Sequence, residues 1–275
     1  MVFIWILLIV LLLFAIFWVV SLHGVRRTAG FYGFEGEHYA HRGLHANDRA
    51  LPENSLRAFR LAAQAGYGAE LDVHLSRDGK LVVMHDESLL RMCGIDREIC
   101  DMTAEELDQC RLLDTDEKIP YLEEVLPIFC GNYPLIIEIK TKGTNAARLT
   151  GKVCALLRKY PDVKFCIESF DPRVLMWLKK HQPKIIRGQL SCNFFKSDED
   201  LPWYLKVLLT NLTLNFLANP HFIAYKLEDR DQISFRLCRK IWDIQEFSWT
   251  VQTPEDEADA IQSHRLIIFE GFLPQ

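Results

Sequence analysis

The chain has 275 residues, enough for one large domain or two small ones, and an apolar share of 49% that excludes a disordered chain. Its formal net charge of −5 comes from 37 acidic against 32 basic residues and argues against a nucleic-acid-binding surface built on a broad basic excess. Eight cysteines, with no C-x-x-C pair and no regular spacing, agree with a reducing compartment.

The first twenty residues, MVFIWILLIVLLLFAIFWVV, carry no charged side chain, no Gly and no Pro. As a helix they span roughly 30 Å, the hydrocarbon core of a bilayer. Trp5 and Trp18 lie near the two ends, where indole favours the interface. A cleaved signal peptide would carry a basic start and a shorter apolar run, so residues 1–20 read as a transmembrane anchor. Arg26 and Arg27 follow it and place the remainder on the cytoplasmic side. Residues 21–36 read as a Gly-rich, aromatic linker, and 37–275 as the domain.

From His38 the pattern alternates. HYAH (38–41) is a short strand. NSLRAFRLAAQAG (54–66) has helical spacing, with Asn54 as its N-cap. YGAELDVHL (67–75) is a strand. A turn at Asp78-Gly79 leads to a strand at 81–85, and the few residues between them cannot make a parallel crossover, so this strand returns as a hairpin. With a small helix at 101–113, residues 73 to about 117 form a compact insertion over one end of the sheet. Helix 121–129 precedes strand 134–140. Helix 145–159 then leads to strand 163–168, helix 172–181 to strand 184–190, helix 201–217 to strand 221–225, helix 230–241 to strand 246–251, and helix 254–262 to strand 265–269. Setting the hairpin aside, the parallel strands number eight, which predicts an α/β fold of the TIM (β/α)8 barrel type. An open doubly wound sheet is the alternative, but no Gly-rich dinucleotide turn supports it. Segment 203–218 is apolar nearly all round, with Lys206 its only charge. It reads either as a buried helix or as a second membrane contact.

In such a barrel, chemistry sits at the C-terminal ends of the strands. Those ends carry His41 and Arg42, Glu70 and Asp72, His85 and Asp86, Glu138 and Lys140, Glu168 and Ser169, and Trp249. Glu70 and Asp72 share one face of their strand, as do Glu138 and Lys140. Inward acids are costly unless paired or bound to a cation. Glu70, Asp72 and Glu138 together favour a hard divalent ion, Mg²⁺ or Ca²⁺; a structural ion network of Glu138 with Arg42 or Lys140 is the alternative. Arg42 and Lys140 would make a phosphate clamp. Two histidines could divide the proton transfers at a phosphodiester.

The motifs AHRG (40–43), PENS (52–55), ELDVHLSRDGKLVVMHD (70–86), IPYLEEVL (119–126), IEIK (137–140), ESFDP (168–172) and WTVQTPED (249–256) come in one order and spacing. In these the chain resembles the glycerophosphodiester phosphodiesterase family, in a membrane-anchored form of the bacterial type. The resemblance implies a TIM barrel with a small insertion after its second strand. It implies metal-dependent hydrolysis of glycerophosphodiesters to glycerol 3-phosphate and an alcohol. It further implies His41 and His85 as the acid–base pair, Glu70, Asp72 and Glu138 as metal ligands, and Arg42 and Lys140 on phosphate. Glu53 and Asn54 would lie at the substrate or beside the metal, and Trp249 would be an apolar wall for the glycerol moiety. The chain departs from the family at its end, where LIIFEGFLPQ puts Phe269-Glu270 in place of the usual Thr-Asp. Of the other histidines near His41, His38 reads as structural and His45 as a loop residue. A lysophospholipase of the D or C type on the same barrel is the rival activity, and a non-catalytic membrane-anchored module is the rival class.

Overall fold

The computed structural model describes residues 1–28, 31–46, 50–197 and 200–274. Among these residues nine strands form one sheet: β1 (His38–Ala40), β2 (Gly68–Leu75), β3 (Leu81–Val83), β4 (Leu135–Ile139), β5 (Phe165–Ser169), β6 (Arg187–Ser191), β7 (Phe222–Lys226), β8 (Gln245–Val251) and β9 (Leu266–Phe269). Eight are parallel and closed, because β1 pairs with β9 through Tyr39 and Ile268 and with β2 through Tyr39 and Gly68. The ninth, β3, returns antiparallel along the far end of β2, with Val73 opposite Val83. The barrel, the hairpin and the insertion after the second strand are as the alternation predicts.

The outer core lies between the sheet and its helices, where Leu71, Val73, Ile137, Leu149 and Leu175 are fully buried or nearly so. A second core fills the barrel. Tyr39, Ile136, Cys166, Phe222, Phe247 and Ile268 point inward, and Phe31 and Phe34 of the segment before β1 close the floor beneath them. The Tyr39 hydroxyl donates to the Phe34 carbonyl at 3.2 Å. Phe222 needs space that its neighbour on β6 provides: a Cβ at Gly188 would stand 2.0 Å from the Phe222 ring. Gly188→Ala is therefore expected to destabilise the fold by about 3 kcal/mol, the upper end for overpacking. The check is the urea midpoint, which should fall with an unchanged slope.

Several predicted elements are shorter in the structure. The helix expected at 54–66 runs Leu56–Gln64, and Ser55 is its N-cap, with Oγ accepting from the Ala58 amide. Asn54 is not the cap; it has φ +55 and turns its side chain into the barrel mouth. The helix expected at 101–113 is reduced to Ala104–Leu107, which a Thr103–Glu106 capping box starts. Continued, it would carry Leu112 away from the face on which Leu107 and Cys110 are buried. The helix expected at 201–217 splits into Trp203–Thr210 and Asn215–Ala218. Between them Leu212 takes φ +56 and buries itself against Leu22, Ile223 and Tyr225. The reading of this segment as a buried helix is overturned, since Trp203 is 74% exposed.

Val2–Ser21 is one continuous helix, long and apolar enough to cross a membrane. Its C-terminal part, from Phe17 on, touches the barrel. The Trp242 indole donates to the Val19 carbonyl at 2.9 Å, and Leu22 is fully buried under β7.

Candidate active site

The mouth of the barrel gathers charge that the rest of its interior excludes. Glu70, Asp72, Glu138 and Glu168 all point inward above the apolar layer, each less than a tenth exposed. Alternation along the strands puts them there: Glu70 and Asp72 are two apart on β2, and Asp72 stands in register with Glu138 on β4, which stands in register with Glu168 on β5. Glu70, Asp72 and Glu138 each bring one carboxylate oxygen within 4.8 Å of the others.

The loop after β1 brings cations to these acids. Arg42 adopts φ +54 and Gly43 φ +78, a turn closed by the Gly43 amide on the Ala40 carbonyl at 3.1 Å. A Cβ at Gly43 would meet the Ala58 backbone at 2.9 Å, so glycine is required on both counts. The turn aims the Arg42 amide at Glu70 Oε2, 3.1 Å away, while its guanidinium reaches Glu53 at 2.9 Å and lies 3.7 Å from Asp72. Asn54 donates from Nδ2 to Asp72 Oδ2 at 2.9 Å. Lys140, just past the end of β4, places Nζ 3.1 Å from Asp72 and 2.8 Å from Glu138.

This crowding separates the acids. Burial would raise Asp72, but Lys140, His85, Arg42 and the Asn54 amide hold it well below the usual carboxylate range. Burial and the neighbouring acids push Glu70 well above that range. Burial also carries Glu138 up to about 7, against the opposing pull of Lys140. Glu168 is raised by burial and by Glu138, and its Oε2 has no hydrogen-bond partner among the described residues. A divalent cation among Glu70, Asp72 and Glu138 would compensate this excess of buried carboxylate, and the all-oxygen donor set suits Mg²⁺ or Ca²⁺. The residues fit the ion. The second acidic group, Glu87, Glu98 and Cys100, is half-exposed, and Lys142 is paired with both of its carboxylates.

Two imidazoles stand at the rim. His41 Nδ1 lies 2.6 Å from Glu270 Oε2. His85 Nδ1 lies 2.7 Å from Asp86 Oδ1. A carboxylate at Nδ1 accepts that N–H, which leaves Nε2 of each ring free to exchange a proton. Burial lowers the proton affinity of His41, with Arg42 adding to the effect and Glu270 opposing it. A charged chain runs from the partner of His85 to the residue that follows His41: Arg91 donates to Asp86 at 2.5 Å and to Glu53 at 2.6 Å, and Glu53 also holds Arg42.

Trp249 stands apart from the acids. Its ring meets the edge of Phe170 at 5.8 Å, and Phe170 meets Phe194 at 5.9 Å, an apolar wall that faces Lys140 across the Phe170 ring. The Trp249–Thr250 peptide is cis. Of the remaining histidines, His38 Nε2 lies 3.3 Å from Glu257, and His45 Nε2 lies 3.8 Å from Oε1 of Glu270, the oxygen that His41 does not meet.

Sequence reasoning left Glu270, Asp86 and Arg91 without roles. Asp86 had a signal, since it follows a rim histidine directly. Glu270 had a weaker one, an acid immediately after the last strand. Arg91 had none, because its short helix (Leu90–Cys93) lies inside the insertion and only folding brings it to Glu53.

A model of the glycerophosphoryl diester phosphodiesterase family matches residues 41–266. The chain belongs to the glycerophosphoryl diester phosphodiesterase family. It is similar to a glycerophosphodiester phosphodiesterase of Caldanaerobacter subterraneus, with 30% identity over 79% of this chain and 86% of the relative. It is also similar to a human lysophospholipase D, with 34% identity over 46% of this chain and 42% of that protein. Its fold matches the structure of an Oleispira antarctica phosphodiesterase in complex with the product sn-glycerol-3-phosphate, with a TM-score of 0.68 and 23% identity over 86% of this chain and 94% of that one. The enzyme class expected from the motifs stands with the family.

Proposed function

We propose that the chain hydrolyses glycerophosphodiesters to glycerol 3-phosphate and an alcohol, with a divalent cation on Glu70, Asp72 and Glu138 and proton transfer by His41 and His85. The catalytic domain is residues 37–275, with the insertion at about 73–117. The observation that carries this reading is the pair of imidazoles, each with Nδ1 on its own carboxylate, beside three convergent acids.

Mg²⁺ or Ca²⁺, when bound, supplies Lewis-acid polarisation of the phosphoryl group. Lys140 and Arg42 share the charge that develops on the phosphoryl oxygens. His41 begins neutral, because burial disfavours its charged form, and takes the proton of the attacking hydroxyl at Nε2. His85 returns a proton from Nε2 to the leaving oxygen. The pair serves attack by the glycerol 2-hydroxyl followed by opening of the cyclic phosphate, and equally attack by water. Glu53 and Asn54 act from beside the site, Glu53 by steadying Arg42 and Asn54 by orienting Asp72. Trp249, with Phe170, forms the wall against the apolar edge of the substrate.

The test is release of glycerol 3-phosphate by the purified full chain with Mg²⁺ or Ca²⁺, offered glycerophosphocholine, glycerophosphoglycerol and lysophosphatidylcholine. Inertness towards all three would refute the proposal. A second reading, lysophospholipid hydrolysis, is favoured by the apolar wall of Phe170, Phe194 and Trp249. It predicts a lipid-derived phosphate from lysophosphatidylcholine in the same assay.

Glu270 acts through His41. Glutamine there is expected to lower kcat by about 10–100-fold, the usual effect of losing an orienting partner, with KM little changed. Because Glu270 raises the proton affinity of His41, the acid limb of the pH profile should move to lower pH. An unmoved limb would deny the contact a role in catalysis.

Residues 1–20 are proposed to anchor the chain, with Arg26 and Arg27 holding the domain on the cytoplasmic side. Cys130 is exposed and provides the test. Its labelling by an impermeant thiol reagent in intact cells would contradict that side.

A further inference from the structure

The segment between β6 and β7 exposes apolar side chains where a barrel helix ordinarily presents polar ones. Trp203 is 74% exposed, Tyr204 51%, Val207 38%, Phe216 40% and Leu217 39%. On the helix Trp203–Thr210, residues 203, 204 and 207 fall within about 100° of one another, a single face. The C-terminal end of this helix is fixed to the barrel: Thr210 is buried, its hydroxyl accepts from the Phe194 amide at 3.0 Å, and its carbonyl accepts from the Tyr225 hydroxyl at 3.1 Å.

Two observations indicate what covers this face. Its lower end continues into the apolar helix Val2–Ser21, where the ring of Phe17 meets the edge of Phe216 at 6.4 Å. Its composition is Trp and Tyr at one end and aliphatic or aromatic side chains along the rest, the pattern of a surface in the interfacial layer. The topology also orients it. The segment leaves β6 at the mouth of the barrel and returns to the start of β7 at the floor, so the face runs from the mouth down to the end of the membrane-spanning helix. Phe194, whose amide donates to Thr210 of this helix, stands against Phe170, and Phe170 against Trp249 of the candidate active site.

We propose that this face is a bilayer-docking surface, which lays the barrel along the membrane and brings the rim beside Phe194 to the lipid surface. The occupant is the phospholipid bilayer entered by residues 2–21, and the proposal rests on reading that helix as a span. A substrate with an acyl chain would then reach the mouth in the plane of the membrane, on the side where the apolar wall stands.

The test uses the full chain in phosphatidylcholine–phosphatidylglycerol vesicles, with a photoreactive benzophenone amino acid in place of Val207. The control carries the same group in place of Arg60, an exposed residue of the helix Leu56–Gln64 on the opposite side of the barrel. Irradiation is expected to add the mass of a phospholipid at position 207 and not at position 60. Equal labelling at the two positions, no lipid adduct at 207, or a crosslink to a second copy of the chain would each overturn the proposal. The intact mass also reports whether residues 1–20 are retained, so a lost span and a face that never meets lipid give different spectra. Glycerophosphocholine turnover by the same vesicles reads the proposed activity separately.

Discussion

Alanine in place of His41 is expected to lower kcat by about 10²–10⁴-fold, and alanine in place of His85 by a similar factor, the range for loss of a general acid or base. Both variants should fold, since each ring stands at the rim and not in the packed interior. The side chains are 14% and 34% exposed. The leaving group separates the roles. A p-nitrophenyl phosphodiester departs without protonation, so loss of the acid matters less there. His85→Ala should therefore recover much of its activity on that substrate, whereas His41→Ala should not. Full turnover by either variant on glycerophosphocholine, with circular dichroism unchanged, would remove that histidine from the mechanism. The double variant should be little worse than the poorer single one, because residues that act as a unit are not additive.

Removal of divalent ions is expected to abolish turnover. Lewis-acid stabilisation is worth several kcal/mol, and about 4 kcal/mol corresponds to about 10³-fold in rate. Asp72→Asn should have an effect of the same order for two reasons. It takes away the acid held most firmly in its charged form, and it deprives Lys140 and Arg42 of their shared partner. Titration calorimetry with Mg²⁺ and Ca²⁺ should show binding by the native chain and none by the variant. Undiminished turnover in chelator-treated buffer would mean that the three acids form a structural network around Lys140 and Arg42. The contacts of Lys140 with Asp72 and Glu138 give that alternative a definite geometry, so the experiment decides between two real arrangements.

Both predictions depend on side chains whose neighbourhood is only partly written in the chain. A two-residue repeat is enough to place Glu70 with Asp72 on one face of a strand, and the short turn at Asp78-Gly79 is enough to make β3 a hairpin. Such features follow from local geometry: a strand alternates its faces, and five residues cannot cross a sheet. Helix ends are less legible, because burial decides them. Asn54 has the chemistry of a cap, yet Asp72 takes its amide and Ser55 caps instead. Residues 203–218 have the hydropathy of a buried helix, yet Leu212 turns inward and leaves Trp203 outside.

The sequence by itself determined the eight-fold alternation, the hairpin after the second strand, the apolar span before the domain, and the chemical types that end each strand. Periodicity, turn length and hydropathy are properties of neighbouring residues, so a linear reading contains them. Only the tertiary structure decided the partners. Closure of the barrel sets β9 beside β1 and brings Glu270 to His41 across 229 residues of chain. The fold of the insertion carries Arg91 back to Glu53. Lys140 turns to Asp72 and Glu138, because in a closed barrel the side chains of separate strands converge on one axis, and buried charges there must find each other.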